Sequence, residues 1–194
     1  MSSFTRLAGV AVLLLSLGFL VSALPAPKTD DIHIAITGGG DPVTAALVNL
    51  VVNLDVEAKI RALVACDTIA QLQVAVQALV VVLTTCANDL LNVGANVSVG
   101  VEAQANIVAC VAAIITLLVR VCAQVSVKFG LSVVVALFAQ IDVVLRLCLV
   151  NLNVCIGGIV ALIANAIASA TVGLLAQVQL KLCLTVLGLV GASL

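Results

Sequence analysis

Residues 147–180, LCLVNLNVCIGGIVALIANAIASATVGLLAQVQL, run for 34 positions between Arg146 and Lys181 without one Asp, Glu, Lys or Arg. A soluble domain seldom carries such a stretch. Its punctuation is confined to Gly157-Gly158 and to Thr171–Gly173, which predicts one helix from about Ile159 to Ala170 and another from about Leu174 to Leu189. The whole chain has the same character, at 64% hydrophobic and 9% charged residues, where ordinary domains hold roughly 45–50% and about 25%. Too little polar side chain is present to cover the outside of any fold. The chain is therefore expected against an apolar phase or against itself.

Working back toward the N-terminus, the same material is cut into helices. Asp41-Pro42 is a good helix start, a side-chain acceptor followed by a residue with no N–H to satisfy and a φ already helical. The first helix is predicted to reach about Cys66, with Asn49, Asn53, Glu57 and Arg61 stacked at i, i+4 as one polar stripe, and with Glu57–Arg61 and Asp55–Lys59 as ion pairs. Thr68-Ile69-Ala70-Gln71 has the form of a capping box and opens a second helix to about Leu91, with Gln73, Gln77, Thr84 and Asn88 near one face. Asn92–Gly100 is a loop. A third helix is expected from about Val101 to Ala123 and, after a break at Lys128–Gly130, a fourth from Leu131 to Leu149 with Asp142 paired to Arg146. No proline lies beyond Pro42 to interrupt any of these.

A competing period runs through the chain. Val97–Glu102, Val119–Val121, Val125–Lys128 and Gln177–Thr185 alternate apolar with small or polar residues, the mark of a half-buried strand or of a segment capable of ordered self-assembly. Against it stand the abundance of Ala and Leu and the lack of turn residues at the spacing a β-sandwich needs. The expectation is an all-α, compact bundle of about five to six hydrophobic helices.

The front of the chain is different. Met1–Ala23 reads as a secretory signal peptide, with Arg6 in a short n-region, an apolar run from Leu7 to Leu20 and small residues before a cut after Ala23. Residues 24–40 form a linker containing Pro25, Pro27 and Gly38-Gly39-Gly40, and residues 41–194 form the hydrophobic domain. Within the linker Ile32-His33-Ile34-Ala35-Ile36 alternates, and His33 is expected to face solvent. After the cut, seven Lys/Arg stand against nine Asp/Glu, and there is no Trp or Tyr. Neither charge nor stacking surface suits nucleic acid.

A secreted chain meets an oxidising compartment, so its seven cysteines point to disulfides. If the helices simply run up and down, the candidate pairs are Cys66–Cys122, Cys86–Cys110 and Cys148–Cys155, which leaves Cys183 as a free, buried or intermolecular thiol. No C-x-x-C spacing supports zinc or thiol-redox chemistry. Asn96-Val97-Ser98 in the loop is an N-glycosylation sequon.

Catalysis needs converging acids, bases or nucleophiles in a polar pocket. The acids here are scattered and mostly accounted for as caps or i+4 partners, and Gly38-Gly39-Gly40 lacks a P-loop lysine and dinucleotide spacing, so neither an enzyme nor a cofactor is expected. Leu131–Val150, Val154–Gln177 and Asn106–Val119 resemble membrane spans. Asp142 and Arg146 fall inside the first, Asn165 inside the second, and the third is short; aromatic belts are also missing. A lipid or sterol held between the helices is a further alternative.

The Leu24-Pro25-Ala26-Pro27 junction, the spaced cysteines and the very hydrophobic body resemble the small secreted hydrophobic cell-wall proteins of filamentous, mushroom-forming fungi. That resemblance implies a coat on aerial hyphae and attachment to hydrophobic surfaces. True hydrophobins carry eight cysteines with adjacent doublets, whereas this chain has seven and no doublet, so their β-barrel is not implied. The expected function is a secreted, non-enzymatic, surface-active protein whose partners are itself and cell-wall or other hydrophobic surfaces. A multi-pass membrane protein and a lipid carrier are the alternatives.

Overall fold

The computed structural model describes residues 31–167 and 169–189. The expected signal peptide, the first part of the linker and residues 190–194 lie outside the described residues. Every regular element described is helical: α1 (Pro42–Val48), continued by a π-helical turn (Asn49–Asn53), then α2 (Val56–Ala65), α3 (Ile69–Val93), α4 (Val101–Phe129), α5 (Leu131–Cys155), α6 (Ile159–Ala166), α7 (Ser169–Gln177) and α8 (Lys181–Val186). The all-α bundle is present, with eight α-helices among the described residues in place of five or six. None of the alternating segments forms a strand there. Val119–Val121 and Val125–Lys128 are absorbed into α4, Val97–Glu102 into the loop and the start of α4, and Gln177–Thr185 into the end of α7, a turn and α8. Continuous local hydrogen bonding in Ala- and Leu-rich sequence outweighs a period that has no partner strand to satisfy it.

Local chemistry sets the helix starts. The Thr44 N–H donates to Asp41 Oδ1 at 2.8 Å and its hydroxyl donates to Oδ2 at 2.6 Å, with Pro42 opening α1. At α3 the capping box is complete: the Gln71 N–H donates to Thr68 Oγ1, and Gln71 Oε1 accepts from the Asp67 and Thr68 N–H groups. The Glu57–Arg61 pair forms at 2.9 Å.

Three expectations are corrected. The first helix is not continuous, because Asp55 adopts a left-handed conformation (φ 49°) and its carboxylate starts α2 by accepting from the Ala58 N–H. An Asp tolerates this backbone better than most residues because its side chain bonds locally. The last helix is likewise split, at Val178–Leu180, with Gln179 at φ 66°. Asp142 does not stand out on α5 to pair with Arg146. It is 3% exposed and accepts from the Leu182 N–H at 2.8 Å and the Cys183 N–H at 2.9 Å, so it caps α8 from another helix. A carboxylate placed on two otherwise unpaired amides is a strong reason for a helix to restart there.

Thirteen of the 29 residues of α4 are buried, too many for a single stripe, and α4 is accordingly the central helix. It is covered by α2, α5, α6 and α7. The long neighbour of α3 is α5, not the α4 that follows it. The two run parallel, because Gln77 meets Gln140, Leu83 meets Cys148, Ala87 meets Asn151 and Leu90 meets Cys155 in ascending order on both.

Candidate functional site

That parallel seam is built from side-chain donors on α5 and main-chain carbonyls on α3. Cys148 Sγ donates to the Leu83 carbonyl at 3.2 Å, Asn151 Nδ2 to the Ala87 carbonyl at 2.8 Å and Cys155 Sγ to the Leu90 carbonyl at 3.2 Å. The donors recur at i, i+3, i+7, one stripe of α5, and Ala87 lets the backbone be approached closely. The solvent end of the seam is the Gln77–Gln140 bond at 2.6 Å.

Around that bond the outward faces of α3 and α5 are apolar. Val74 and Val81 flank Gln77 at helical spacing and are 71% and 63% exposed; Val133, Val143 and Leu147 flank Gln140, with Val143 54% exposed. From Ile69 to Asn88, α3 has no charged residue, and α5 has two, the buried Asp142 and Arg146. Charge gathers elsewhere, in and beside α2: Asp55, Glu57, Lys59, Arg61 and Asp67, the last bridged to Lys128 at 2.9 Å.

Hydroxyls add little polarity to the helix surfaces. Thr84, Thr85, Thr116, Ser126 and Thr185 each donate to the carbonyl four residues back, which leaves the threonine methyl groups as the outer contour. Among the described residues no buried side-chain nitrogen or oxygen lacks a partner. Where the outward residues are apolar or hydroxyls bonded to their own helix, water can leave the surface at little cost in hydrogen bonds.

All seven cysteines are buried and free. None of the expected pairs Cys66–Cys122, Cys86–Cys110 and Cys148–Cys155 is bonded. Cys148 and Cys155 lie seven residues apart on one helix, about 10 Å of rise, beyond the roughly 7 Å that a disulfide spans. Cys66, Cys122, Cys86 and Cys110 are likewise unbonded. Cys183 is wholly buried beside Asp142, which gives it no route to a second molecule while α8 stays docked. Burial pushes the thiols of Cys122 and Cys183 well above the ordinary range and that of Cys110 up to about 12. In the closed bundle these are inert apolar side chains.

Ile32–Ile36 lies as an extended strap on α2. The Ile34 N–H donates to Glu57 Oε2 at 2.8 Å, Arg61 Nη2 donates to the Ile32 carbonyl at 2.5 Å, and His33, its side chain 80% exposed, stands 3.5 Å from Glu57 Oε1. Desolvation alone would raise the Glu57 carboxyl; the Ile34 bond, Arg61 and His33 outweigh it and hold it below its usual value. In the α3–α4 loop Asn96 is exposed at φ 56°, with its N–H on the Val154 carbonyl.

Among the described residues no group of three or more His, Cys, Asp or Glu side chains is placed to hold a metal ion. The enclosed apolar void between α1, α3, α4 and α5 amounts to about 20 Å³, below the roughly 300–1,000 Å³ of ligand pockets, while two open surface depressions, beside Asn49 and Asp89 and along residues 70–78, measure about 500 and 440 Å³. Helices α3, α4 and α5 are each long and apolar enough to cross a membrane. Compared with known proteins, the chain matches no family model, no curated protein and no solved structure.

Proposed function

We propose that this is a secreted, non-enzymatic, surface-active protein that self-associates at a hydrophobic interface, coating a cell wall or a similar boundary. The observation that carries it is the outer face of α3 and α5, valine-rich, nearly uncharged and set on a bundle whose buried side-chain polar groups all have partners among the described residues. Every 100 Å² of that face withdrawn from water contributes roughly 2.5 kcal/mol. The charged residues in and beside α2 keep a hold on the aqueous side. Disulfides formed in the secretory route would staple the helices without altering this face. Attachment and aerial growth are the roles that the resemblance to fungal wall proteins suggests.

Pendant-drop tensiometry and contact angles on coated glass test the proposal. The purified mature chain is expected to lower surface tension and change wettability, and Val81→Lys with Val143→Lys to abolish both while keeping helical circular dichroism. Both positions are exposed, so their effect on stability should stay within about 0.5 kcal/mol. Monomeric behaviour at high concentration with no effect on surface tension would overturn it.

A multi-pass membrane protein is the second reading, favoured by the length and apolar composition of α3, α4 and α5. Their most apolar stretches are buried within the bundle to 33%, 61% and 44%, so α3 has the most surface left for lipid. Recovery from the host only in the detergent-extracted membrane would put this reading first.

A further inference from the structure

Cys86 on α3 and Cys148 on α5 face each other across the parallel seam. Both line the same void of about 20 Å³, and both are buried. Their register is fixed from two sides: Cys148 is bonded to the Leu83 carbonyl, and Asn151, one turn on, to the Ala87 carbonyl, so Cys148 lies against the turn of α3 that carries Cys86. Cys148 is the neighbour that most raises the Cys86 thiol above its ordinary value. Three of the other five thiols are otherwise engaged: Cys66 donates to the Ala62 carbonyl, Cys155 to the Leu90 carbonyl, and Cys183 sits against Asp142; Cys110, near enough to Cys86 to feel its charge, is the rival partner.

We propose that Cys86 and Cys148 close an inter-helix disulfide as the chain folds in an oxidising compartment, tying α3 to α5 beneath the outer apolar face. This rests on the secreted reading for its setting, though not for its chemistry. The oxidant is a disulfide of low molecular mass or of an exchange enzyme. One cysteine, as thiolate, attacks a sulfur of that disulfide and displaces one thiol; the second cysteine, deprotonated in turn, attacks the mixed disulfide and displaces the other. Two electrons and two protons pass to the oxidant, which leaves as two thiols, and one S–S bond is gained by the protein. The contact with Cys148, together with burial, raises the Cys86 thiol well above its ordinary value, so exchange belongs to the folding chain, before the seam excludes the oxidant. Once formed, the bond fixes the spacing of the two helices whose valines meet the interface. A film-forming protein would then reach the boundary with this face intact, not with its helices spread apart.

The test is refolding of the full mature chain in a buffer of reduced and oxidised glutathione, then alkylation of free thiols, proteolysis and non-reducing peptide mass spectrometry. A Cys86–Cys148 linked peptide is expected as the main cross-link, and reductant should lower the thermal midpoint by about 10 °C. Cys86→Ser should leave Cys148 open to alkylation after denaturation, and Cys148→Ser should do the same for Cys86. Alkylation of both cysteines in a refolded chain with full helical circular dichroism would overturn the proposal, and so would a dominant Cys86–Cys110 link. Peptide mapping of the chain recovered from the host separates the two failures. Both thiols free in chain taken from medium or wall sinks the disulfide alone. Recovery only from membrane, with the refolding result intact, sinks the secreted setting alone.

Discussion

Replacement of Asp142 should unfasten α8 before it unfolds the bundle. The carboxylate holds the Leu182 and Cys183 N–H groups at 2.8 and 2.9 Å from a position 3% exposed. Hydrogen bonds to a charged acceptor contribute about 1.5–3 kcal/mol each, so the gross loss in Asp142→Ala is about 3–6 kcal/mol. Part is offset, since the variant no longer keeps a carboxylate out of water. The net loss falls at about 2–4 kcal/mol. Asp142→Asn retains one carbonyl acceptor and should lose about half as much. Because α8 spans only Lys181–Val186 at the end of the described chain, the loss should appear as local opening. Hydrogen exchange at the Leu182 and Cys183 amides reads it directly: protection should fall on the order of 30- to 1,000-fold in Asp142→Ala, with the amides of α4 unchanged. Unaltered protection at both amides would refute the cap. An equal loss throughout α4 would show instead that Asp142 supports the whole bundle.

At the α3–α5 seam, Asn151→Leu removes one donor to a carbonyl that keeps its place in α3, and should cost about 1 kcal/mol in denaturant unfolding; Asn151→Asp sets a carboxylate against the Ala87 carbonyl and should cost about 3 kcal/mol or more. Equal costs would show that the seam is held by packing alone. The strap should respond to acid. The Glu57 carboxyl is held below its usual value when folded, so its contribution is present above about pH 4.5 and is lost as pH falls through the folded value. The amide resonance of Ile34 should move over that window and not in Glu57→Gln, and a shift that survives in the variant would assign it elsewhere. At the start of α3, Thr68→Ala removes one half of the capping box and should lower stability by about 1 kcal/mol in thermal unfolding, with partial recovery in Thr68→Asn.

Local signals fixed the starts of α1 and α3 in the sequence itself. An Asp or Thr side chain within three residues of the amides it caps finds them whatever the rest of the chain does, and Asp41 and Thr68 were legible for that reason. The same holds for Glu57 and Arg61, one helical turn apart, and for the all-α class, which follows from long Ala- and Leu-rich runs without proline. The apolar outer face was legible only as a surplus, since composition says how much apolar surface must remain outside but not which helices present it.

The long-range decisions belong to the tertiary structure. Asp142 had Arg146 one turn away, and nothing local weighed against that pair. The unpaired amides at 182 and 183, some forty residues on, attract the carboxylate more strongly than an exposed ion pair would, because Asp142 itself is buried and two N–H groups converge on it there. The same remote cap explains why the last predicted helix breaks. Cysteine partners could not be read for a related reason. Spacing along the chain orders the thiols by depth only if consecutive helices are neighbours, and here α3 passes over α4 to lie parallel with α5, where donors at Cys148, Asn151 and Cys155 meet its carbonyls. The sequence by itself determined that this chain folds into apolar helices too poor in charge to cover themselves. Which helix lies beside which, and so which thiols meet and which valines face outward, was decided by a few buried polar groups that only the packed bundle brings within reach.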